Sequence, residues 1–284
     1  MAMLFSLEKT YWIWFTNNNF DFLKMNRISV ISICFNNLTE LKSTCDSIDA
    51  QTLKPYEHII IDGSTNTEIK NYLESSSQPS FRKWICERDN GISDAFNKGI
   101  RKSTGDIVYL LNSGDKMYDN SVLEKVTTIF DKDPSVMWCH GKLSTFRGGL
   151  WVVIGKPFEK DKLYRGMRGT LHPTMYVRKE LYEKYGLFDA NLKMAMDYDF
   201  LCRIADEKFV FIDYPVATFD PSGITSNKYL ESKKEAEAQY RKYFGWSLKQ
   251  SLWGMRLALL HILLQSSLGK FLYRMKVKMG KENA

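Results

Sequence analysis

The sequence predicts an α/β fold on a mainly parallel sheet with helices on both faces. Three observations carry this. From Ile28 onward, short β-branched runs alternate with apolar residues at helical spacing. The runs are nearly continuous in Ile and Val, as strands buried on both faces are. Polar, turn-forming clusters end them: Asp62-Gly63-Ser64 after the second and Asn112-Ser113-Gly114-Asp115 after the fourth.

Ile28 to Phe35 is the first strand, too β-branched for a helix. Leu41, Cys45 and Ile48 recur at helical spacing behind it. His58 to Ile61 is the second strand, Ile69 to Leu73 a helix and Phe81 to Cys86 the third strand. A helix over Gly91 to Arg101 and a fourth strand over Ile107 to Leu111 complete the βαβ series. After Val136 the pattern changes. Lys142 to Ile154, broken at Arg147-Gly148-Gly149, reads as a hairpin, Asp197 to Ala205 as a helix and Phe209 to Ile212 as a strand. From Lys228 the chain is helical almost to its end. The organisation expected is an N-terminal extension over 1–25, one continuous domain over 26–227 and a basic amphipathic helical region over 228–284. Tyr11, Trp12, Trp14 and Phe15 could form a short interfacial segment, but the first two dozen residues lack the basic start, apolar run and cleavage site of a signal peptide.

A chain of 284 residues, 44% apolar and 26% charged, is an ordinary globular one, which excludes disordered, collagen-like and polytopic membrane classes. Its five cysteines are scattered with no CxxC, which reads as reduced core thiols and neither a disulfide frame nor a zinc site. The net charge of +7 is localised: Arg241 to Ala284 holds nine Lys/Arg and one Glu, and the remainder 31 basic and 32 acidic residues. A neutral body with a basic tail argues against nucleic acid and for a local anionic partner.

In such sheets ligands bind beyond the carboxyl ends of the strands. Those ends carry Asp62, then Glu87 and Asp89, then Asn112 and Asp115. One aspartate there can be a helix cap. Three successive acidic strand ends point instead to a divalent cation or to the hydroxyls of a base and sugar. GxGxxG, the P-loop and the GxSxG elbow are all missing, which removes dinucleotide oxidoreductases, P-loop enzymes and α/β-hydrolases from consideration.

Ile28-Ser-Val-Ile-Ser, Ile59-Ile-Ile-Asp-Gly-Ser-Thr, Glu87-x-Asp-x-Gly-Ile-x-Asp-Ala-x-Asn-Lys-Gly99 and Thr104-Gly-Asp-Ile-x-x-x-Leu-Asn-Ser-Gly-Asp115 together resemble family-2 glycosyltransferases of the GT-A fold. Gly169-Thr-Leu-His-Pro-Thr, Gly186-Leu-Phe-Asp189 and Asp197-Tyr-Asp-Phe-Leu-x-Arg203 extend the match, which covers roughly Asn26 to Ser226. The resemblance implies that Asp62 contacts the base or ribose of a nucleotide-sugar, usually UDP-linked. It implies that Asp89 helps hold the nucleotide, with Asn97 and Lys98 nearby. Asp115 matches the last residue of the DxD motif that holds Mg²⁺ or Mn²⁺ against the diphosphate. Asn112 stands at that motif's first position, so Asp115 is the main charged metal ligand. Asp197 matches the general base, preceded by Met196 where the family often has Glu, with Asp199 the second choice. His172 could line the acceptor side, approach the diphosphate or be structural, and Arg165 and Arg168 could neutralise diphosphate or be a solvated loop.

The function expected is an inverting, metal-dependent sugar transfer from a nucleotide-sugar to a glycan or lipid-linked glycan in cell-surface polysaccharide synthesis. A non-catalytic carbohydrate- or partner-binding module is the alternative. A sugar nucleotidyltransferase is a weaker one, because Cys34-Phe-Asn-Asn37 stands where its Gly-rich triphosphate loop would be. A homo-oligomer is compatible with the sequence. From Trp246 to Tyr273 apolar residues dominate without reaching the roughly 18 uninterrupted ones of a spanning helix. Lys270, Arg274, Lys276, Lys278 and Lys281 follow. The segment either packs on the domain or a second subunit, or lies on an anionic surface; the expectation is a cytoplasmic protein held peripherally at the cytoplasmic face of the membrane by residues after Gly245.

Overall fold

In the computed structural model the described residues are 11–13, 22–147, 149–219 and 229–279. Most of the expected N-terminal extension, the first glycine of the hairpin turn, and Lys281 and Glu282 lie outside them. Strands β1 (Tyr11–Ile13) and β2 (Phe22–Lys24) form a separate antiparallel pair.

The main sheet begins with β3 (Ile28–Cys34), then α1 (Leu38–Asp49), β4 (Glu57–Asp62), α2 (Glu68–Ser75), β5 (Arg82–Cys86), α3 (Ile92–Lys102) and β6 (Ile107–Leu110). Its second half holds β7 (Lys116–Met117), α4 (Val122–Lys132), β8 (Trp138–Arg147), β9 (Leu150–Ile154), β10 (Met175–Arg178), α5 (Lys179–Tyr185), α6 (Met196–Arg203) and β11 (Phe209–Phe219). Three helices follow: α7 (Tyr229–Phe244), α8 (Leu248–Gln265) and α9 (Ser267–Lys278).

Strand order is β5-β4-β3-β6-β10-β8-β11-β7, with β9 on β8. The first four strands are parallel, as the sequence indicated. Beyond β6 the sheet is mixed, because β10 enters antiparallel to both β6 and β8. No crossover helix precedes β10, so the chain meets the sheet in the opposite sense. Strand β11 runs on past Ile212 to Phe219, absorbing Pro215 at register shifts. Among the described residues the C-terminal helical expectation resolves into three helices, with breaks at Gly245 and Ser266.

Pleat alternation decides which face each strand residue covers. Ile31, Ile59, Ile61 and Val108 pack with Phe96 of α3 on one face. Val30, Ile107 and Tyr109 pack with Val122, Val126 and Phe130 of α4 on the other. All six residues of β4 are buried, the mark of a strand covered on both sides. Ala236, Tyr240 and Tyr243 of α7 pack against the α3-side core, so the first C-terminal helix is tied into the sheet domain. All five cysteines are free thiols, four of them buried.

Candidate functional site

The strand order of the parallel half reverses between β3 and β6, with β4 and β5 on one side and β10 beyond the other. A crevice opens at the carboxyl ends of strands where the order reverses like this. Three carboxylates stand at those ends. Asp62, the last residue of β4, is buried at 3% exposure and accepts the backbone N–H of Ser64 at 3.0 Å. The Cys34 thiol approaches the same Asp62 oxygen at 3.7 Å, and burial drives that thiol's pKa up, with Asp62 adding to the effect. Asp89, in the loop between β5 and α3, accepts the N–H of Gly91 at 2.9 Å. Its carboxylate lies over Gly63: a Cβ built there would fall 1.9 Å from Asp89 Oδ2. Glycine at 63 is therefore what leaves room for the Asp89 carboxylate against the end of β4.

Asp115 is held by a device that sequence reading missed. The Thr44 hydroxyl of α1 donates to the Asp115 carbonyl at 2.7 Å and accepts the Gly114 N–H at 2.9 Å. Gly114 has φ +103°, left-handed backbone that glycine adopts without strain. The turn thus closes tightly and leaves Asp115 at 3% exposure beside half-buried Asn112. Across the β3 side, Asn36 takes φ +53° and accepts the N–H of Thr65 at 3.1 Å, fastening the loop after β3 to the loop after β4.

Asp197 and His172 face one another across a small cavity against the end of β6. Leu110, Met175, Val177, Tyr182, Phe188 and Phe200 complete its lining. Burial pushes the Asp197 carboxyl up and the His172 imidazole partly restores it. Burial pushes His172 down, against the pull of Asp197. His172 Nε2 is buried and has no hydrogen-bond partner among the described residues. The cavity thus holds a carboxylate beside an imidazole in apolar surroundings, an arrangement suited to taking a proton from a hydroxyl.

Helix α6, which presents Asp197, is anchored from three sides. Glu235 of α7 accepts the N–H groups of Lys193, Met194 and Ala195 at 3.2, 2.8 and 3.0 Å. The Tyr198 hydroxyl donates to Leu163 O at 2.6 Å. Asp199, the second choice for the base, is fully engaged: Arg203 at 2.9 Å, Lys242 at 3.1 Å and the Tyr243 hydroxyl at 2.7 Å. It fastens α7 to α6 and faces no cavity in common with His172.

Of the two residues singled out beside Asp89, Asn97 turns into the core and Lys98 stays beside the loop that carries Asp89. Asn97 is buried and uses both ends of its amide on the Phe188 backbone, donating at 2.9 Å and accepting at 3.0 Å. It is a core pin between α3 and the loop before α6, because position 97 falls on the inward face of an amphipathic helix. Lys98 reaches the Arg88 carbonyl at 2.6 Å and Glu87 at 3.1 Å, which ties down the loop carrying Asp89. Arg165 and Arg168 stack on Trp253 of α8, at 5.3 and 5.0 Å from the indole centre.

Among the described residues no group of three His, Cys, Asp or Glu could hold a metal ion. A hard cation commonly takes one or two carboxylates and completes its shell with substrate phosphates and water. One buried carboxylate at Asp115 meets that pattern and no all-protein cage does.

Residues 29–186 match the family described as Glycosyl transferase family 2. An uncharacterised glycosyltransferase of Mycobacterium tuberculosis H37Rv is 32% identical over 210 residues, 71% of this chain and 78% of that one. A PGL/p-HBAD biosynthesis glycosyltransferase of Mycobacterium bovis BCG is 24% identical over 211 residues, 72% of this chain and 81% of that one. Among solved structures, Staphylococcus aureus TarS superimposes with a TM-score of 0.56 at 16% identity, over 79% of this chain and 41% of TarS. TarS 1–349 in complex with UDP-GlcNAc gives 0.56 at 16% identity, over 79% and 69%. The mannosyltransferase PcManGT from Pyrobaculum calidifontis, in complex with GDP-Man and Mn²⁺, gives 0.55 at 15% identity, over 95% and 88%.

Proposed function

Because this chain belongs to glycosyl transferase family 2, we propose that it moves a sugar, with inversion, from a UDP-linked donor to a hydroxyl of a glycan or lipid-linked glycan in cell-surface polysaccharide synthesis. One observation carries the reading. Asp62, Asp89 and Asp115 follow the carboxyl ends of β4, β5 and β6 in the parallel half of the sheet, and Asp197 faces His172 in a cavity against the strand that leads to Asp115.

Asp62 and Asp89 would take the hydroxyls and ring N–H of the nucleoside, with carboxylates accepting and the ligand donating. Asp115 would hold Mg²⁺ or Mn²⁺ between itself and the diphosphate. A cation bound there would offset the negative charge that develops on the departing nucleoside diphosphate. Asp197 takes the proton of the acceptor hydroxyl as its oxygen attacks the anomeric carbon from the face opposite the leaving group. Single displacement from that side inverts the anomeric centre. His172 lines the cavity beside the carboxylate. The UDP preference finds support in the UDP-GlcNAc complex of TarS, and the metal in the Mn²⁺ of PcManGT. The basic, apolar helices α8 and α9 support attachment at an anionic membrane surface, although no helix among the described residues is long and apolar enough to cross one.

A panel of UDP-, GDP- and dTDP-sugars tests the proposal. The expected result is nucleoside diphosphate release from a UDP-sugar that chelator abolishes and Mn²⁺ restores. Release that ignores chelator would remove the metal from the mechanism, and release from none of the donors would sink the transfer.

A further inference from the structure

Helix α1 carries Thr44, Ser47 and, just past its end, Gln51, a spacing that lines one helix face. All three turn to the segment that runs from Asn112 through β7 into α4. The Thr44 hydroxyl holds the Gly114 N–H and the Asp115 carbonyl. The Ser47 hydroxyl accepts the N–H of Met117 at 3.2 Å. The Gln51 amide donates to the Asp119 carbonyl at 2.6 Å and accepts the N–H of Leu123 at 3.1 Å. On its other side the same segment pairs with β11, Met117 opposite Ala217. It is thus clamped between a helix and the sheet.

Thr44 is fully buried and Gln51 is 1% exposed, so water does not satisfy this stretch of backbone and the side chains of α1 do. A threonine within a helix commonly gives its proton to the carbonyl one turn back. Here Glu40 O lies at 3.2 Å and Asp115 O at 2.7 Å, so the proton goes out of the helix to the turn. Gly114 lies within that turn, and glycine loses more freedom on ordering than any other residue. A cation held by one carboxylate, phosphates and water has no protein cage to fix its place. What the protein supplies is a carboxylate already in position, and order that exists before binding does not have to be created by it.

We infer that α1, through Thr44 and Ser47, positions Asp115 for the cation and diphosphate before the donor arrives. Thr44 is a positioning residue, since it is fully buried and acts through the backbone of Gly114 and Asp115. This rests on the metal-assisted transferase reading and adds the helix that sets how tightly the metal-bound diphosphate is held.

Calorimetry of UDP binding to the full-length chain, with Mn²⁺ and with chelator, tests it. Thr44→Val nearly keeps the side-chain shape and removes the hydroxyl. It should weaken UDP in Mn²⁺ by about tenfold, leaving Gly114 N–H and Asp115 C=O without their partner. UDP affinity in chelator should stay unchanged, and Thr44→Ser should recover the Mn²⁺-dependent part. Hydrogen exchange at the Gly114 amide, measured without ligand, should quicken in Thr44→Val and not in Thr44→Ser. Faster exchange with unaltered affinity in Mn²⁺ would overturn the inference, as would an equal loss in Mn²⁺ and in chelator. Ser47→Ala, at a half-buried position, takes over if Thr44→Val does not fold. It should weaken only the Mn²⁺-dependent binding, and unchanged binding would again overturn the inference. The unsubstituted chain scores the underlying reading separately. If Mn²⁺ does not tighten its UDP binding, the metal reading falls and this inference with it, by a result that involves no variant.

Discussion

Glu235 on α7 accepts the backbone N–H of Ala195 at 3.0 Å, two residues ahead of Asp197. With Met194 and Lys193 it satisfies three backbone donors of the turn that leads into α6, and its charge suits the positive end of the helix. The C-terminal helices thereby fix where the carboxylate of Asp197 stands.

Glu235→Ala should therefore lower kcat while the donor KM holds, and lower Tm as well. Loss of such a cap costs about 1–2 kcal/mol, which is roughly 2–8 °C in a chain of this size. Glu235→Gln should recover part of both. Steady-state kinetics beside thermal melts decide it: a lowered Tm with unaltered kcat would leave Glu235 as a cap and nothing more.

Asp197→Asn should reduce kcat by about 10²–10⁴ with donor affinity nearly intact. It should also raise Tm at neutral pH. Burial raises the Asp197 carboxyl pKa in the folded chain, so ionisation favours the unfolded state as pH rises from the unfolded value to the folded one. A neutral amide removes that cost. A variant that loses turnover but also loses stability would contradict the second half of the prediction.

Gly63→Ala should weaken donor binding without unfolding the protein. The new methyl would sit 1.9 Å from Asp89 Oδ2, and the flexible carboxylate would swing away from the strand ends. The expected readout is a donor KM several-fold higher with Tm little changed. An unaltered donor KM would place Asp89 outside the donor site.

Histidine burial should set the acid limit of stability. His140 stacks among Trp138, Phe209 and Phe211, with no partner for either ring nitrogen among the described residues. Burial lowers its pKa to about 4, and burial also lowers His58 and His172. Unfolded histidines titrate near 6.5, so the fold keeps this stability above that pH and loses it as pH falls toward about 4. His140→Phe should flatten the decline between those values, as read from Tm against pH. An identical acid profile in the variant would assign the loss to other groups.

The parallel half of the fold was legible because its strands, helices and turns follow each other locally. Ile28 to Leu111 contains every strand and helix of that half in order. The antiparallel entry of β10 was not legible: Met175 to Arg178 is a short apolar run whose direction depends on where residues 155–174 return the chain. Asp62, Asp89 and Asp115 could be placed at strand ends from their position after apolar runs. Asn97 could not be removed from that set, since the sequence does not show that its amide meets the Phe188 backbone from across the domain.

The sequence by itself determined the βαβ series, the acidic strand ends, the family motif through Asp197 and the separation of a neutral body from a basic tail. These are matters of local period, turn chemistry and composition, which act over a few residues. The tertiary structure alone decided the rest. It set His172 opposite Asp197, laid Asp89 over Gly63, pinned the Asp115 loop to Thr44, and brought Glu235 and Trp253 back onto the catalytic domain. Each joins residues far apart in the chain, and such contacts depend on how helices and strands pack, a property no stretch of sequence carries alone.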